Sequence, residues 1–181
     1  MSSRSRVRPA VASWPEFRPT ALLGLLAHAE IDFVVIGGVA VVVQANPRFT
    51  QDLDICYATD RANLERLGAL LVSLEAKLRG IDEDIPFVPD ARTLRNTQML
   101  TLTTREGNLD LLVDPPGSPG YAALRRRADV IELAGTSVRV ASLEDLLAMK
   151  RAAGRPQDAI DIESLELARS RLRGRRAGPG T

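Results

Sequence analysis

The sequence predicts an α+β fold in which a mixed sheet is flanked by helices, with further helices at the C-terminal end. Three observations predict it. β-branched runs and leucine-spaced segments follow each other in the order α-β-α-β-α-β-β-α-β-β-α-α. The 181 residues match one ordinary domain, and a hydrophobic fraction of 45% supplies a sizeable core. Two of the strand-like runs, Asp52-Leu53-Asp54 and Leu109-Asp110-Leu111, set carboxylates among apolar neighbours, as sheet strands with one functional face do.

Residues 19–30 read as a helix, with Thr20 as its cap and Leu22, Leu23, Leu25 and Leu26 as its apolar stripe. Phe33-Val34-Val35-Ile36 is a buried-strand run that stops at Gly37-Gly38. Residues 39–45 are rich in valine, but their place directly after a strand and two glycines favours a short buried helix, halted at Asn46-Pro47. Residues 52–57 read as a strand. Asp60 then caps a helix reaching residue 78, with leucines at 64, 67, 70, 71, 74 and 78.

Residues 93–104 and 108–113 read as strands joined at the turn Glu106-Gly107, and Asp114-Pro115-Pro116-Gly117 ends the second. Residues 121–127 form a short helix. A hairpin of residues 129–133 and 137–140 turns around Gly135-Thr136. Ser142 opens the next helix, with Asp145 at the capping-box position and Gly154 near its end. The last helix begins around Pro156 and runs to about Arg171.

The charge balance of 24 basic and 23 acidic residues leaves a net +1, which argues against holding nucleic acid by bulk charge alone. Arg4, Arg6 and Arg8 open the chain, and Arg169, Arg171, Arg173, Arg175 and Arg176 lie near its end. Such ends are solvated and partly disordered, or serve as arms on an RNA backbone. Cys56 is the single cysteine, buried in an apolar run, which excludes an intrachain disulfide and fits a reducing cytoplasm. The longest apolar stretch, residues 33–43, is too short to span a bilayer, so the expectation is a soluble cytoplasmic protein without a membrane partner. His28 is the only histidine and reads as a surface residue, which excludes a histidine triad or a His-ligated zinc site. Trp14 and Phe17 pack the N-terminal arm onto the domain, and Asp82-Glu83-Asp84 reads as a solvated loop.

Asp52 and Asp54 lie on one face of their strand, about 6.5–7 Å apart. Two such carboxylates repel, which raises a pKa unless a cation intervenes. Mg²⁺ (or Mn²⁺) resolves the conflict through oxygen ligands and recruits substrate phosphates. If the strand bearing Asp110 lies alongside, three carboxylates converge. That set suffices for two ions roughly 3.5–4 Å apart, one at the attacking hydroxyl and one at the leaving pyrophosphate. Gly37 and Gly38 let the backbone approach a ligand, and the helix after them points amides and a positive dipole at an anion such as the β and γ phosphates.

Gly37-Gly38, thirteen intervening residues, and Asp52-Leu53-Asp54, with a later lone Asp110, resemble the motif of the polymerase-β-like nucleotidyltransferase superfamily. More narrowly, Arg48-Phe49-Thr50-Gln51-Asp52-Leu53-Asp54, Leu143-Glu144-Asp145-Leu146-Leu147-Ala148-Met149-Lys150 and Arg155-Pro156-Gln157-Asp158-Ala159-Ile160-Asp161-Ile162 resemble the AbiEii/MenT type, toxin-side nucleotidyltransferases of toxin–antitoxin systems. The resemblance spans roughly residues 33–165. It implies Asp52, Asp54 and Asp110 as catalytic metal ligands, and a nucleoside triphosphate (NTP) as substrate. Lys150 is implied as a point charge on the triphosphate, with Asp158 or Asp161 orienting it or helping to place the acceptor. Arg48 and Thr50, in the loop before the catalytic strand, are further candidates for nucleotide contact. Many relatives carry Ser where Gly38 stands, so a phosphate-binding hydroxyl is absent at that position.

The resemblance thus implies a polymerase-β-like nucleotidyltransferase domain at residues 19–171, between a flexible arm at 1–18 and a disordered basic tail at 172–181. The implied acceptor is RNA, the 3′ end of tRNA, and the implied partner a cognate antitoxin protein. The competing readings are a non-catalytic antitoxin or regulatory module of the same fold, transfer to a protein or small-molecule hydroxyl, and a nuclease using the same acids.

Overall fold

The computed structural model describes residues 16–46, 48–81, 87–133 and 135–176. Within these, α1 (Pro19–His28), β1 (Phe33–Ile36), α2 (Gly37–Gln44), β2 (Asp52–Tyr57), α3 (Arg61–Ser73), β3 (Lys77–Leu78) and α4 (Ala91–Asn96) form the first half. β4 (Met99–Thr104), β5 (Gly107–Leu112), α5 (Tyr121–Arg127), β6 (Asp129–Leu133), β7 (Thr136–Val140), α6 (Leu143–Ala153) and α7 (Pro156–Arg176) complete it. The strands make one seven-stranded sheet in the order β3-β4-β5-β2-β1-β7-β6. β2 runs parallel to β5 and β1 parallel to β7, and the other neighbours are antiparallel, so the sheet is mixed.

The central strands β1, β2 and β5 are buried on both faces, which is why Phe33 to Ile36 is apolar throughout. Leu22, Leu23 and Leu26 of α1 and Leu64, Leu67 and Leu71 of α3 are fully or almost fully buried with Val34, Leu53, Ile55, Leu109 and Leu111 of the sheet. Each such side chain stabilises the fold by roughly 1.5–3 kcal/mol. Among the buried polar residues, Asn63 accepts the Asp32 N–H at 2.8 Å and donates to the carbonyls of Asp32 and Ala58. It ties the start of α3 to the entry of β1 and the exit of β2.

Several local expectations are corrected. Thr20 does not cap α1; Pro19 occupies the first turn, Arg18 the cap position, and no side chain caps it. The helix ends at His28, because Glu30 adopts a left-handed φ of 52°. Gly37 and Gly38 do not precede α2 but form its first turn. Asp60 caps α3 as expected, accepting the Asn63 N–H, yet the helix stops at Ser73. Glu75 takes φ 53° and turns the chain back, so Lys77–Leu78 pairs with β4 instead of extending the helix. Asp90 accepts the Thr93 N–H and starts a helix where the β-rich composition predicts strand; β4 begins only at Met99. Finally, α7 continues to Arg176 rather than yielding to a loose tail after residue 171.

Phe17 packs against Gly107, whose φ of 115° and bare Cα admit it, and Arg18 N–H donates to the Glu106 carbonyl. Trp14, the acidic run at 82–84 and residues 177–181 lie outside the described residues. Cys56 is buried, and burial pushes its thiol up to about 12, which makes it inert packing. His28 is exposed. Among the described residues no helix is long and apolar enough to cross a membrane.

Candidate active site

Strand register brings the acids together. Asp54 of β2 pairs directly with Asp110 of β5, and Asp52 pairs with Asn108 two residues earlier. Directly paired residues share a face, and residues two apart on a strand share it too, so Asp52, Asp54 and Asp110 project from one side of the sheet. Asp110 is buried and Asp54 half-buried, whereas the Asp52 side chain is 37% exposed. Burial, followed by the charges of Asp52 and Asp110, raises the Asp54 pKa to about 7. Burial likewise raises Asp110 to about 6, against the lowering pull of Arg79. Crowded, desolvated carboxylates of this kind are unfavourable for folding alone and point to a function.

The glycine pair shapes the corner above them. Gly37 has φ 62°, and a Cβ there would lie 2.0 Å from Asp54 Oδ2. Glycine is therefore required twice, by backbone conformation and by the carboxylate against its Cα. The Gly38 N–H, in the first turn of α2, points at Asp54 Oδ2 from 3.4 Å, a long contact. A Cβ on Gly38 would meet Thr50 Oγ1 at 2.5 Å and Arg48 Nη2 at 2.8 Å. The space that a serine side chain would use at this position is thus filled by the Thr50 hydroxyl and the Arg48 guanidinium, from the loop before β2. That hydroxyl also donates toward Asp52 Oδ1 at 3.3 Å.

A second cluster adjoins the first. α6 and α7 pack on α2, and the tight Gly154 turn between them, with φ 62°, aims Lys150 at the start of α7. Lys150 Nζ donates to Asp158 Oδ1 at 2.9 Å and forms an ion pair with Asp161 Oδ2 at 2.8 Å, with its side chain only 7% exposed. Arg48 reaches across from the loop before β2 and grips Asp161 with two nitrogens, Nε at 2.8 Å and Nη2 at 3.2 Å. Arg155 closes the network on Asp158. Burial works against the Asp158 charge, but hydrogen bonds from Arg155 and Lys150 outweigh it and hold its pKa at about 2. Lys150 also lowers the Asp54 pKa, so the two clusters share one field.

All ten residues singled out in the sequence therefore meet at one corner of the sheet. Sequence reasoning missed an eleventh, Arg79. Its Nη2 donates to both oxygens of Asp110, at 2.7 and 2.8 Å, and its Nη1 lies 4.0 Å from Asp52. Among the described residues no group of three or more acid, histidine or cysteine side chains is gathered tightly enough to hold an ion as the side chains stand.

A family model described as "Nucleotidyl transferase AbiEii toxin, Type IV TA system" matches residues 21–171. Among solved structures, the lincosamide antibiotic adenylyltransferase LnuA with lincomycin bound is similar in fold, with TM-score 0.55 and 16% identity over 81% of this chain and 92% of that one. An antigenic nucleotidyltransferase-like protein from Paracoccidioides brasiliensis aligns at TM-score 0.49 and 17% identity, over 81% of this chain and 72% of that one. ANT(2")-Ia in complex with adenylyl-2"-tobramycin aligns at TM-score 0.48 and 16% identity, over 87% and 98%. No curated protein matches the sequence. The match over residues 21–171 places this chain in the AbiEii family of nucleotidyltransferase toxins.

Proposed function

We propose that this nucleotidyltransferase moves a nucleoside monophosphate from an NTP to a hydroxyl of an RNA acceptor, the 3′ end of tRNA, in the cytoplasm. The opposed pair Asp54 and Asp110, with Asp52 beside them, carries the reading. Three carboxylates on one sheet face, two of them with raised proton affinity, offer the hard oxygen donors that a divalent cation such as Mg²⁺ or Mn²⁺ would draw together. Such an ion, held by Asp52, Asp54 and Asp110, would supply charge neutralisation at the α-phosphate and a more acidic acceptor hydroxyl.

The chain's own groups do the positioning. Gly37 and Gly38 leave room for phosphate oxygens at the N-terminus of α2, where amides and dipole favour an anion. Thr50 and Arg48 line the same corner. Lys150 donates to Asp158 and is ion-paired with Asp161, which fix its direction and leave N–H donor capacity for the triphosphate. The acceptor hydroxyl oxygen bonds to the α-phosphorus and loses its proton to solvent, the bond between the α-phosphorus and the α–β bridging oxygen breaks, and pyrophosphate departs carrying that oxygen. Arg171 and Arg175, exposed on α7, favour an RNA acceptor. Family membership supports a toxin role with a cognate antitoxin as partner, and blocked aminoacylation is the mode of toxicity this acceptor would give.

Incubation of the protein with each α-labelled NTP and total RNA tests this. Label is expected in tRNA, dependent on added Mg²⁺ or Mn²⁺, and lost in Asp52→Ala and Asp54→Ala. Catalysis near wild type in both variants would overturn the mechanism; label in protein or a small molecule would overturn the acceptor.

A further inference from the structure

We infer that Arg79 is a displaceable counter-ion of the carboxylate cluster: it holds Asp110 in the metal-free protein and moves to the triphosphate when NTP arrives, which couples metal binding to nucleotide binding. The inference rests on the metal-binding role proposed above and adds a residue and a sequence of events to it.

Register places Arg79 for this task. The Arg79 N–H donates to the Thr101 carbonyl at 2.9 Å, one step beyond the pairing of Leu78 with Leu102. Thr101 pairs with Asp110, and Asp110 with Asp54. Arg79, Thr101, Asp110 and Asp54 thus form one row across four strands, with side chains on one face. From β3, two strands away from β5, the long arginine side chain spans the small Thr101 and closes on Asp110.

The contact is strong, yet it sits on a weak element. Both Asp110 oxygens accept from the guanidinium, the side chains are 22% and 7% exposed, and such charge-assisted hydrogen bonds are the stronger kind. Arg48, Lys150 and Arg155 are engaged with Asp158 and Asp161, whereas Arg79 is in hydrogen-bond contact with Asp110 of the three-acid cluster. However, β3 has two residues and lies at the sheet edge, where opening costs least.

A divalent ion needs Asp110 lone pairs at about 2.0–2.1 Å, in the place the guanidinium occupies, and the two cations repel. Metal alone must therefore break the Arg79 contact. With NTP present the guanidinium gains phosphate oxygens that match its fork, and the displacement becomes favourable. By linkage, metal then tightens NTP binding by the same factor. A purely structural ion pair that pins β3 to the sheet predicts no such coupling.

The test is Mn²⁺ binding to the full chain, followed by calorimetry or the electron-spin signal of free Mn²⁺, with and without an NTP analogue carrying methylene between the α and β phosphates. For wild type, Mn²⁺ alone binds weakly and the analogue tightens it. In Arg79→Gln, Mn²⁺ alone binds roughly one to two orders of magnitude more tightly, the scale of one charge-assisted hydrogen bond. The gain from the analogue shrinks correspondingly. Arg79→Lys, which keeps the charge but loses the fork, falls between and carries the test if Arg79→Gln does not fold. Unchanged or weaker Mn²⁺ binding in the folded variants, with the analogue effect intact, overturns the inference. Asp54→Asn separates the two levels: if it leaves Mn²⁺ binding untouched, the metal site itself is wrong, whatever Arg79 does.

Discussion

Asp54 and Asp110 face each other across adjacent parallel strands, and both hold a proton more tightly than an ordinary aspartate. Burial is the main cause at both, and the repulsion from Asp52 adds to it. The metal-free fold therefore carries an unfavourable interaction at its centre of chemistry, as sites under functional constraint do. Asp54→Asn removes that charge while keeping the shape and an acceptor for the Gly38 N–H. Its expected outcome is opposite in two assays: thermal stability without metal rises by about 1–2 kcal/mol, and nucleotidyl transfer falls at least about 100-fold. A fall in both would show that the carboxylate stabilises the fold.

The same groups set a pH dependence. The folded protein retains the Asp54 proton up to about 7 and the Asp110 proton up to about 6, whereas an unperturbed aspartate loses it near 3.8. Between roughly pH 4 and 7 the folded state thus binds more protons than the unfolded chain, so metal-free stability declines as pH rises through this window. Asp158 has the opposite sign: its contribution is present above pH 4 and is lost as pH falls toward 2. Melting curves from pH 4 to 8 in chelator should show the decline, and added Mg²⁺ should raise the melting temperature at pH 8 far more than at pH 5. A flat chelator profile would contradict the shifts.

The two carboxylate strands were legible because β-branched and apolar neighbours at period two define both their span and their facing. Ser142 and Gly154 likewise bracket α6 by local chemistry alone. Arg79 was illegible for the converse reason. Its strand is two residues long, its partner Thr101 is chosen by distant pairing, and the helical leucine spacing runs straight through it. The stop after Ser73 depends on Glu75 in a left-handed conformation, which composition does not announce. The Arg48 to Asp161 contact spans 113 positions, so the motif resemblance named both residues without joining them.

Gly37 offers a steric test. Alanine at this position meets a left-handed backbone, at a cost of about 1–2 kcal/mol, and places a methyl where Asp54 Oδ2 now lies. Gly37→Ala should destabilise the protein by more than the backbone term and abolish transfer, since the carboxylate must move. Gly38→Ala is milder in backbone terms, because only Thr50 Oγ1 and the Arg48 tip crowd it. Its expected signature is a raised KM for NTP with a smaller loss of stability. Denaturant melts and steady-state kinetics on both variants distinguish the two positions, and equal effects would remove the distinction drawn here.

Lys150 poses the question of whether a buried lysine serves structure or nucleotide. Removing one partner of a buried ion pair costs roughly 3–5 kcal/mol, but Asp158 keeps Arg155 and Asp161 keeps Arg48 when Lys150 is lost. Lys150→Met should therefore destabilise the fold by an amount near the lower end of that range. Adding Asp161→Asn should recover part of the loss, since the second change removes a charge the first left less well paired. If Lys150 also contacts the triphosphate, Lys150→Met raises the KM for NTP well beyond the Asp161→Asn single variant at temperatures where both are folded. A stability loss without any change in KM would assign Lys150 to the scaffold alone, and the triphosphate contact would pass to Arg48, the other cation beside the glycine corner.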